Sequence, residues 1–165
     1  VGGPYQNWEL GTRDAGSYAT FSDVVDYLDW LGSKFTNSES ARERLEASSV
    51  AIKSHEQELI NLALHGSENL IGLIKNEQIE IIGDLASTSR EGVVSFYFKN
   101  KPSSLIVEKL RQRKIRVHIR KDDHYCGNIL RPLNQKDCIR FSICHYNSKA
   151  EVIEFLKAIN EISAH

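Results

Sequence analysis

The segment "IRVHIRKDDHYCGNILRPLNQKDCIRFSIC", residues 115–144, contains two stretches in which apolar residues alternate with polar residues or cysteines. Alternation with a period of two is typical of a strand with one buried face. One face carries Ile115, Val117, Ile119, Ile139, Phe141 and Ile143, and the other carries Arg116, His118, Arg120, Cys138, Arg140, Ser142 and Cys144. We expect the apolar face to meet helices. Alternation alone favours a solvated polar face, and a face that meets an anion is the sharper alternative.

The segments on either side extend this pattern of strands and helices. The stretches "QIEIIGD" (78–84) and "GVVSFYF" (92–98) are β-branched or aromatic and bounded by turn-forming residues, which predicts two more strands. Pro102 and two serines open a predicted helix over 102–114, whereas residues 121–137 are expected to be irregular. Ser148 and Glu151 fit a capping box, so we predict that the closing helix begins at Ser148.

The first half of the chain has the spacing of helices. Apolar residues recur at helical spacing over 18–31, before Gly32, and over about 40–64, before Gly66. A shorter helix is predicted over 67–75. Because these helices precede a β-β-α-β-β-α block, we predict an α/β fold in which a small mixed or antiparallel sheet is covered on one face by helices.

Composition excludes several classes of function. The 165 residues are 41% hydrophobic and 26% charged, as in a globular protein with a real core. Lys and Arg total 21 against 22 for Asp and Glu, so no global field attracts nucleic acid. No apolar run is long enough for a membrane span, and we expect a cytoplasmic location. The chain starts at Val1 and contains no methionine, which suggests a processed chain or a fragment.

The three cysteines raise the possibilities of a metal site and of a reactive thiol. They are separated by eleven and five residues, unlike the close pairs of structural zinc sites, so we expect no metal. An odd number of cysteines without a secretory leader favours reduced thiols. Cys126 follows Arg120 and His124 in the predicted loop, a setting that could expose a thiol and favour its thiolate. A lone loop cysteine is nevertheless more often inert than catalytic.

Several motifs, in order, resemble the C-terminal part of the class V aminotransferase-fold enzymes. This pyridoxal-phosphate group includes cysteine desulfurases, selenocysteine lyases and isopenicillin N epimerases. The stretch "WELGTRDAGSYATFSDVVDYLDWLG" (8–32) is similar to the family's F-E-x-G-T segment and its following helix, and "SHEQELINLAL" (54–64) to its H-E-x-x-L helix. The stretch "GVVSFYF" is similar to its G-x-V-S-F strand. The stretches "IRVHIRKDDHYCGNIL" (115–130) and "CIRFSICHYNSKAEVIEFLKAI" (138–159) resemble its cysteine loop and its R-x-S-x-x-x-Y-N-[ST]-x-x-E-[VI] ending.

The resemblance implies a role for each matching position. Arg140 corresponds to the arginine that binds the substrate α-carboxylate, for which a guanidinium is suited because it can pair with both oxygens. Gly11 and Thr12 correspond to the residues that reach the cofactor phosphate of the neighbouring subunit in a homodimer. Cys126 lies where desulfurases and selenocysteine lyases keep a cysteine. There the thiolate attacks the substrate sulfur, which leaves a persulfide and releases alanine.

The loop leaves alternatives open. The arginine of the family's V-R-x-G-x-x-C turn is matched by Arg120 with a shift, or its position is held by His118, and His124 is a further candidate for substrate binding. The resemblance therefore implies a cysteine desulfurase or selenocysteine lyase-like enzyme first. An epimerase- or transaminase-like member, in which Cys126 is incidental, is the alternative within the family. A stand-alone, non-catalytic interaction module is the alternative from another class.

The resemblance also divides the chain and names partners. Residues 1–35 are expected to be the tail of the large domain that binds pyridoxal 5'-phosphate, and residues 36–165 the small C-terminal α/β domain of a fold-type I enzyme. The family's Schiff-base lysine lies upstream of the Gly-Thr segment, so this chain alone is expected to be inactive. Its expected partners are an amino-acid substrate, a second subunit and a sulfur-acceptor protein.

Overall fold

A computed structural model describes residues 14–85 and 90–164 of the chain. Residues up to Ala51 belong to one compact unit and residues from Ile52 onward to another. The boundary lies within helix α2 (Ala41–His65). The boundary predicted between residues 35 and 36 separates the tail of the large domain from the small domain of the expected enzyme, and it stays a prediction. No helix of the described segments is long and apolar enough to cross a membrane.

Helix α1 (Ala15–Gly32) confirms the first predicted helix. Its N-cap is Asp14, whose carboxylate accepts a hydrogen bond from the Ser17 N–H at 3.1 Å. The Arg44 guanidinium donates to both carboxylate oxygens of Asp29, at 2.8 and 2.9 Å, and so ties α1 to the start of α2. Tyr18, Phe21, Val24, Tyr27 and Trp30 of α1 remain largely exposed.

The second unit is built on a four-stranded sheet in the order β3-β4-β6-β5. Its strands are β3 (Ile79–Ile82), β4 (Val93–Phe98), β5 (His118–Lys121) and β6 (Asp137–Ser142), and every pairing is antiparallel. Ser95 pairs with Arg140, and Arg140 pairs with His118. Paired residues of an antiparallel ladder point to the same face, so the predicted polar face exists and extends from β4 to β5.

The opposite face of the sheet forms the core with three helices. These are the second half of α2, α3 (Ser103–Gln112) and α5 (Lys149–Ala164). Phe155 of α5 stacks on Phe141 of β6, with ring centroids 4.1 Å apart, and meets Phe96 of β4 edge-on at 6.3 Å. The predicted α/β fold, with helices on one face of a small sheet, is therefore confirmed.

The capping box of α5 is present as predicted. The Glu151 carboxylate accepts a hydrogen bond from the Ser148 N–H at 2.7 Å, and the Ser148 hydroxyl oxygen accepts one from the Glu151 N–H at 3.3 Å. The backbone donor at Ser148, helped by the Ser148 hydroxyl, lowers the pKa of Glu151. These bonds satisfy N–H groups that the first turn of the helix cannot pair internally.

Two predicted elements are wrong and one is too long. Residues 67–75 form no helix; they form a two-strand hairpin, β1 (Gly66–Ser67) with β2 (Leu70–Ile71), and a 3-10 turn, Leu73–Lys75. Gly66 has φ +78°, which ends α2 and turns the chain into this hairpin. Residues 121–137 are not all irregular, because they contain the short helix α4 (Gly127–Leu130) and a 3-10 turn, Arg131–Leu133. The strand predicted over 115–120 begins only at His118.

Candidate functional site

A cavity of about 710 Å³ opens on the polar face of the sheet. The floor comes from β4 and β6, and α4 forms one wall. Ser95 and several apolar side chains contribute to its lining. So do three arginines and two cysteines, namely Arg90, Arg120, Arg140, Cys126 and Cys138. No aspartate or glutamate lines this cavity among the described residues. The cavity therefore presents concentrated positive charge, which is the electrostatic complement of an anion.

Arg140 is the best-placed group for holding that anion. It lies at the centre of β6, between Ser95 of β4 and His118 of β5. Its Nε is shielded from solvent and has no hydrogen-bond partner in the described part of the chain. An unsatisfied buried donor is costly, and guanidinium N–H groups match the two oxygens of a carboxylate. The geometry of Arg140 thus fits its predicted role in carboxylate binding.

Cys126 is held by a hydrogen-bonded turn at the start of α4. The Asp123 carboxylate accepts hydrogen bonds from the backbone N–H groups of Tyr125, at 2.8 Å, and Cys126, at 3.1 Å. These two donors lower the pKa of Asp123, with the Tyr125 N–H as the larger cause. An ion pair between Arg131 and Asp122, at 2.7 Å, joins the other side of the same turn. The thiol is half-buried and borders the cavity.

Cys138 lies on β6 two residues before Arg140 and borders the same cavity. Its side chain is only 4% exposed. Burial raises the pKa of the Cys138 thiol, and the neighbouring Cys126 raises it further, whereas Arg120 acts in the opposite direction. Cys144, the third cysteine, is not part of the cavity lining.

The structure brings together three of the site residues predicted from sequence: Cys126, Arg140 and Arg120. His118 pairs with Arg140 across the ladder, but its exposed side chain lines another groove, beside Arg116. His124 is exposed, and its ring lies 3.9 Å from that of Tyr125, outside the cavity lining. The functional roles of all these residues stay predictions.

The remaining predicted site residues, Gly11 and Thr12, lie outside the residues that the structure describes. No group of three or more His, Cys, Asp or Glu residues suited to a metal ion occurs within 14–85 and 90–164.

Sequence reasoning missed Arg90, Ser95 and Cys138 as members of the site. Arg90 precedes β4, and its Nε, like that of Arg140, is shielded and without a hydrogen-bond partner among the described residues. Its Nη2 donates to the Asp84 carbonyl oxygen at 2.7 Å. Strand alternation did place Cys138 on the polar face with Arg140, although not as a member of the site, and could have placed Ser95 there as well. No comparable signal was available for Arg90, which reaches the cavity from a loop.

The family model for aminotransferase class V matches residues 38–155. The chain belongs to the aminotransferase class-V family. The match includes Cys126, Arg140 and the whole sheet, so the cavity lies within the family's domain. No curated protein sequence matches the chain significantly.

Solved structures of two cysteine desulfurases and of a NifS-like protein have the same fold. The cysteine desulfurase CsdA of Escherichia coli aligns with a TM-score of 0.67 and 18% identity, over 96% of this chain and 32% of that one. The apo cysteine desulfurase of Thermococcus onnurineus NA1 gives 0.62 and 23%, over 75% and 29%. A NifS-like protein gives 0.54 and 29%, over 75% and 32%. The chain therefore spans about a third of the length of these structures.

Binding of an amino acid and covalent attachment of pyridoxal phosphate require different groups of this cavity. The Arg140 guanidinium, whose Nε has no partner among the described residues, suits the carboxylate of an amino acid, and Cys126 borders the same space. No lysine lines the cavity in the described ranges, so no described residue of this cavity can attach pyridoxal phosphate covalently.

Proposed function

We propose that this chain is the C-terminal part of a pyridoxal-phosphate-dependent cysteine desulfurase or selenocysteine lyase-like enzyme. The observation that carries the proposal is the meeting of Cys126 and Arg140 at one cavity that no described carboxylate lines. A nucleophilic thiol and a guanidinium that can bind a carboxylate are the two groups that this chemistry requires of the small domain. The homodimer and the sulfur-acceptor protein that the family resemblance implies, and the cytoplasmic location expected from the sequence, belong to the same proposal.

Each residue has a distinct task in this function. Arg140 binds the α-carboxylate of the amino acid and so fixes the direction in which the substrate side chain points. Arg120 and Arg90 add positive charge to the cavity, which attracts an anionic substrate. The Cys126 thiolate then attacks the substrate sulfur, takes it as a persulfide, and leaves alanine as the product. Pyridoxal phosphate, when bound, supplies the electron sink that weakens the carbon–sulfur bond.

A second candidate is an epimerase- or transaminase-like class V enzyme. It is favoured by the turn that holds Cys126, because Asp123 fixes two of its backbone N–H groups and α4 begins at the next residue. A cysteine that must carry sulfur outward needs a segment that can move, and this one is tied at several points. In this candidate Arg140 keeps its role and Cys126 only lines the cavity.

The two candidates differ in where sulfur goes. The full-length enzyme, loaded with pyridoxal phosphate, should be mixed with cysteine, quenched in acid within the first turnover and mapped by mass spectrometry. The desulfurase function predicts one additional sulfur atom on the peptide that contains Cys126 and none on the peptide that contains Cys144. Formation of D-cysteine or of a keto acid, with no sulfur on Cys126, would establish the second candidate instead.

A further inference from the structure

The cavity contains a second thiol to which the proposed reaction gives no task. Cys138 borders the same space as Cys126, whereas Cys144 does not. Both cavity cysteines are free thiols. Strand alternation places Cys138 on the polar face, whereas most of the apolar packing of this sheet lies on its opposite face.

The local backbone holds the two cysteine-bearing segments side by side. Arg120 of β5 is paired with Cys138 of β6, and one residue further Lys121 is paired with Asp137. The Asp122 N–H then donates to the Lys136 carbonyl oxygen at 2.9 Å, which brings the turn back beside β6. The turn that follows leads directly to Cys126. Cys126 and Cys138 line the same cavity, and Cys126 lies near enough to Cys138 to raise the pKa of its thiol, despite the eleven residues between the two cysteines.

We propose that Cys138 is the resolving thiol of Cys126: it displaces the sulfur carried on Cys126 as sulfide and leaves a Cys126–Cys138 disulfide. This inference rests on the proposed function for the origin of the sulfur. In this proposal Cys138 acts only after Cys126 has taken the sulfur. Cys138 neither binds the substrate nor attacks it.

The exchange balances without an added oxidant. The Cys138 thiolate attacks the inner sulfur of the Cys126 persulfide, and a bond forms between the two Sγ atoms. The bond between the inner and outer sulfur atoms breaks, and the outer sulfur leaves with that electron pair as hydrosulfide. The proton that Cys138 gave up converts the hydrosulfide to hydrogen sulfide. The two cysteines are oxidised and the outer sulfur is reduced.

The charge and burial of the site set the conditions for this step. The arginines of the cavity stabilise the attacking thiolate and the leaving hydrosulfide, both of which are anions. Burial raises the pKa of Cys138, so the thiolate becomes abundant only at alkaline pH, and the exchange should accelerate as pH rises. The disulfide would stop the next turnover until an external dithiol reduces it.

The first experiment tests whether the two sulfur atoms can join. The 165-residue chain should be treated with diamide, an oxidant of thiol pairs, digested without reduction and mapped by mass spectrometry. We expect a cross-linked peptide pair that joins Cys126 to Cys138, with a yield that increases with pH. The variant Cys144→Ser should give the same pair. An unlinked product, or a link that involves Cys144, would overturn the proposal, because a disulfide requires Cα atoms within about 7 Å.

The second experiment uses the full-length enzyme with cysteine and without a reductant. The wild type should release one hydrosulfide for each alanine and then stop with the disulfide formed. The variant Cys138→Ser should form alanine but retain its sulfur on Cys126, and Cys138→Ala controls for a folding defect. Alanine release without any disulfide would overturn the resolving role and leave the desulfurase function standing. Absence of alanine from the wild type would overturn the desulfurase function. A Cys126–Cys138 disulfide formed with diamide would still show that the two thiols can join.

Discussion

Replacement of Arg140 by methionine should stabilise the folded chain while it removes the anion-binding group. The Arg140 Nε is shielded from solvent and unpaired among the described residues, and Arg90 and Arg120 add like charge at the same cavity. An unsatisfied buried donor costs about 1–3 kcal/mol. Because Arg140 is only partly buried, the lower end applies, and methionine of similar length retains the contacts of the aliphatic stem. We expect a gain of about 1 kcal/mol in the free energy of unfolding.

The assay is urea unfolding of the 165-residue chain without ligand, followed by far-ultraviolet circular dichroism. A gain of this size corresponds to a rise in Tm of about 2–4 °C for a chain of this length. The control is Arg113→Met, which removes a surface ion pair with Glu161 and should change stability by at most about 1 kcal/mol in the unfavourable direction. The opposite result would be that Arg140→Met lowers the free energy of unfolding by more than Arg113→Met does. That result would show that the Arg140 guanidinium stabilises the fold, and it would contradict the reasoning that its Nε lacks a partner without a ligand.

Two further predictions concern the core and the cysteine turn. Phe155→Ala should cost about 3–5 kcal/mol, because it leaves a cavity and removes the ring stacked on Phe141; urea unfolding checks this, and a cost no larger than that of Phe155→Leu would contradict it. The pKa of Asp123 is lowered in the folded state, so the stability that its carboxylate provides is present above its ordinary pKa of 3.8 and is lost as pH falls through the lower folded pKa. The amide proton shifts of Tyr125 and Cys126 should therefore titrate with a midpoint below 3.8, and a midpoint at or above that value would show that Asp123 does not hold the turn.

The elements that sequence predicted well are those whose patterns report local packing. The alternation in β6 follows directly from one face being buried against α5, and the Ser148–Glu151 pair marks a helix start through contacts within one turn. The polar face that carries Arg140 was predicted for the same reason. The lack of a described hydrogen-bond partner for the Arg140 Nε could not be predicted, because it depends on which residues of β4, α4 and the Arg90 loop surround this atom.

The errors arose where short-range signals were weak or tertiary contacts decided the outcome. Residues 67–75 contain apolar residues at helical spacing, but Gly66 with its positive φ and the short turn at 68–69 favour a hairpin. The strand at 115–120 was predicted too long because the alternation begins at Ile115, whereas pairing with β6 begins only at His118. The second thiol of the cavity was overlooked because the proximity of Cys126 and Cys138 depends on how the turn after Lys121 folds back.

Release of alanine from cysteine by the full-length enzyme tests most directly whether Cys126 is the nucleophile of this site. Wild type, Cys126→Ser and Cys144→Ser should be compared at neutral pH, with a dithiol reductant present so that turnover continues. Serine is a far weaker nucleophile toward sulfur, so Cys126→Ser should lose alanine release, and Cys144→Ser should keep the wild-type rate. Alanine release by Cys126→Ser at the wild-type rate would contradict the account.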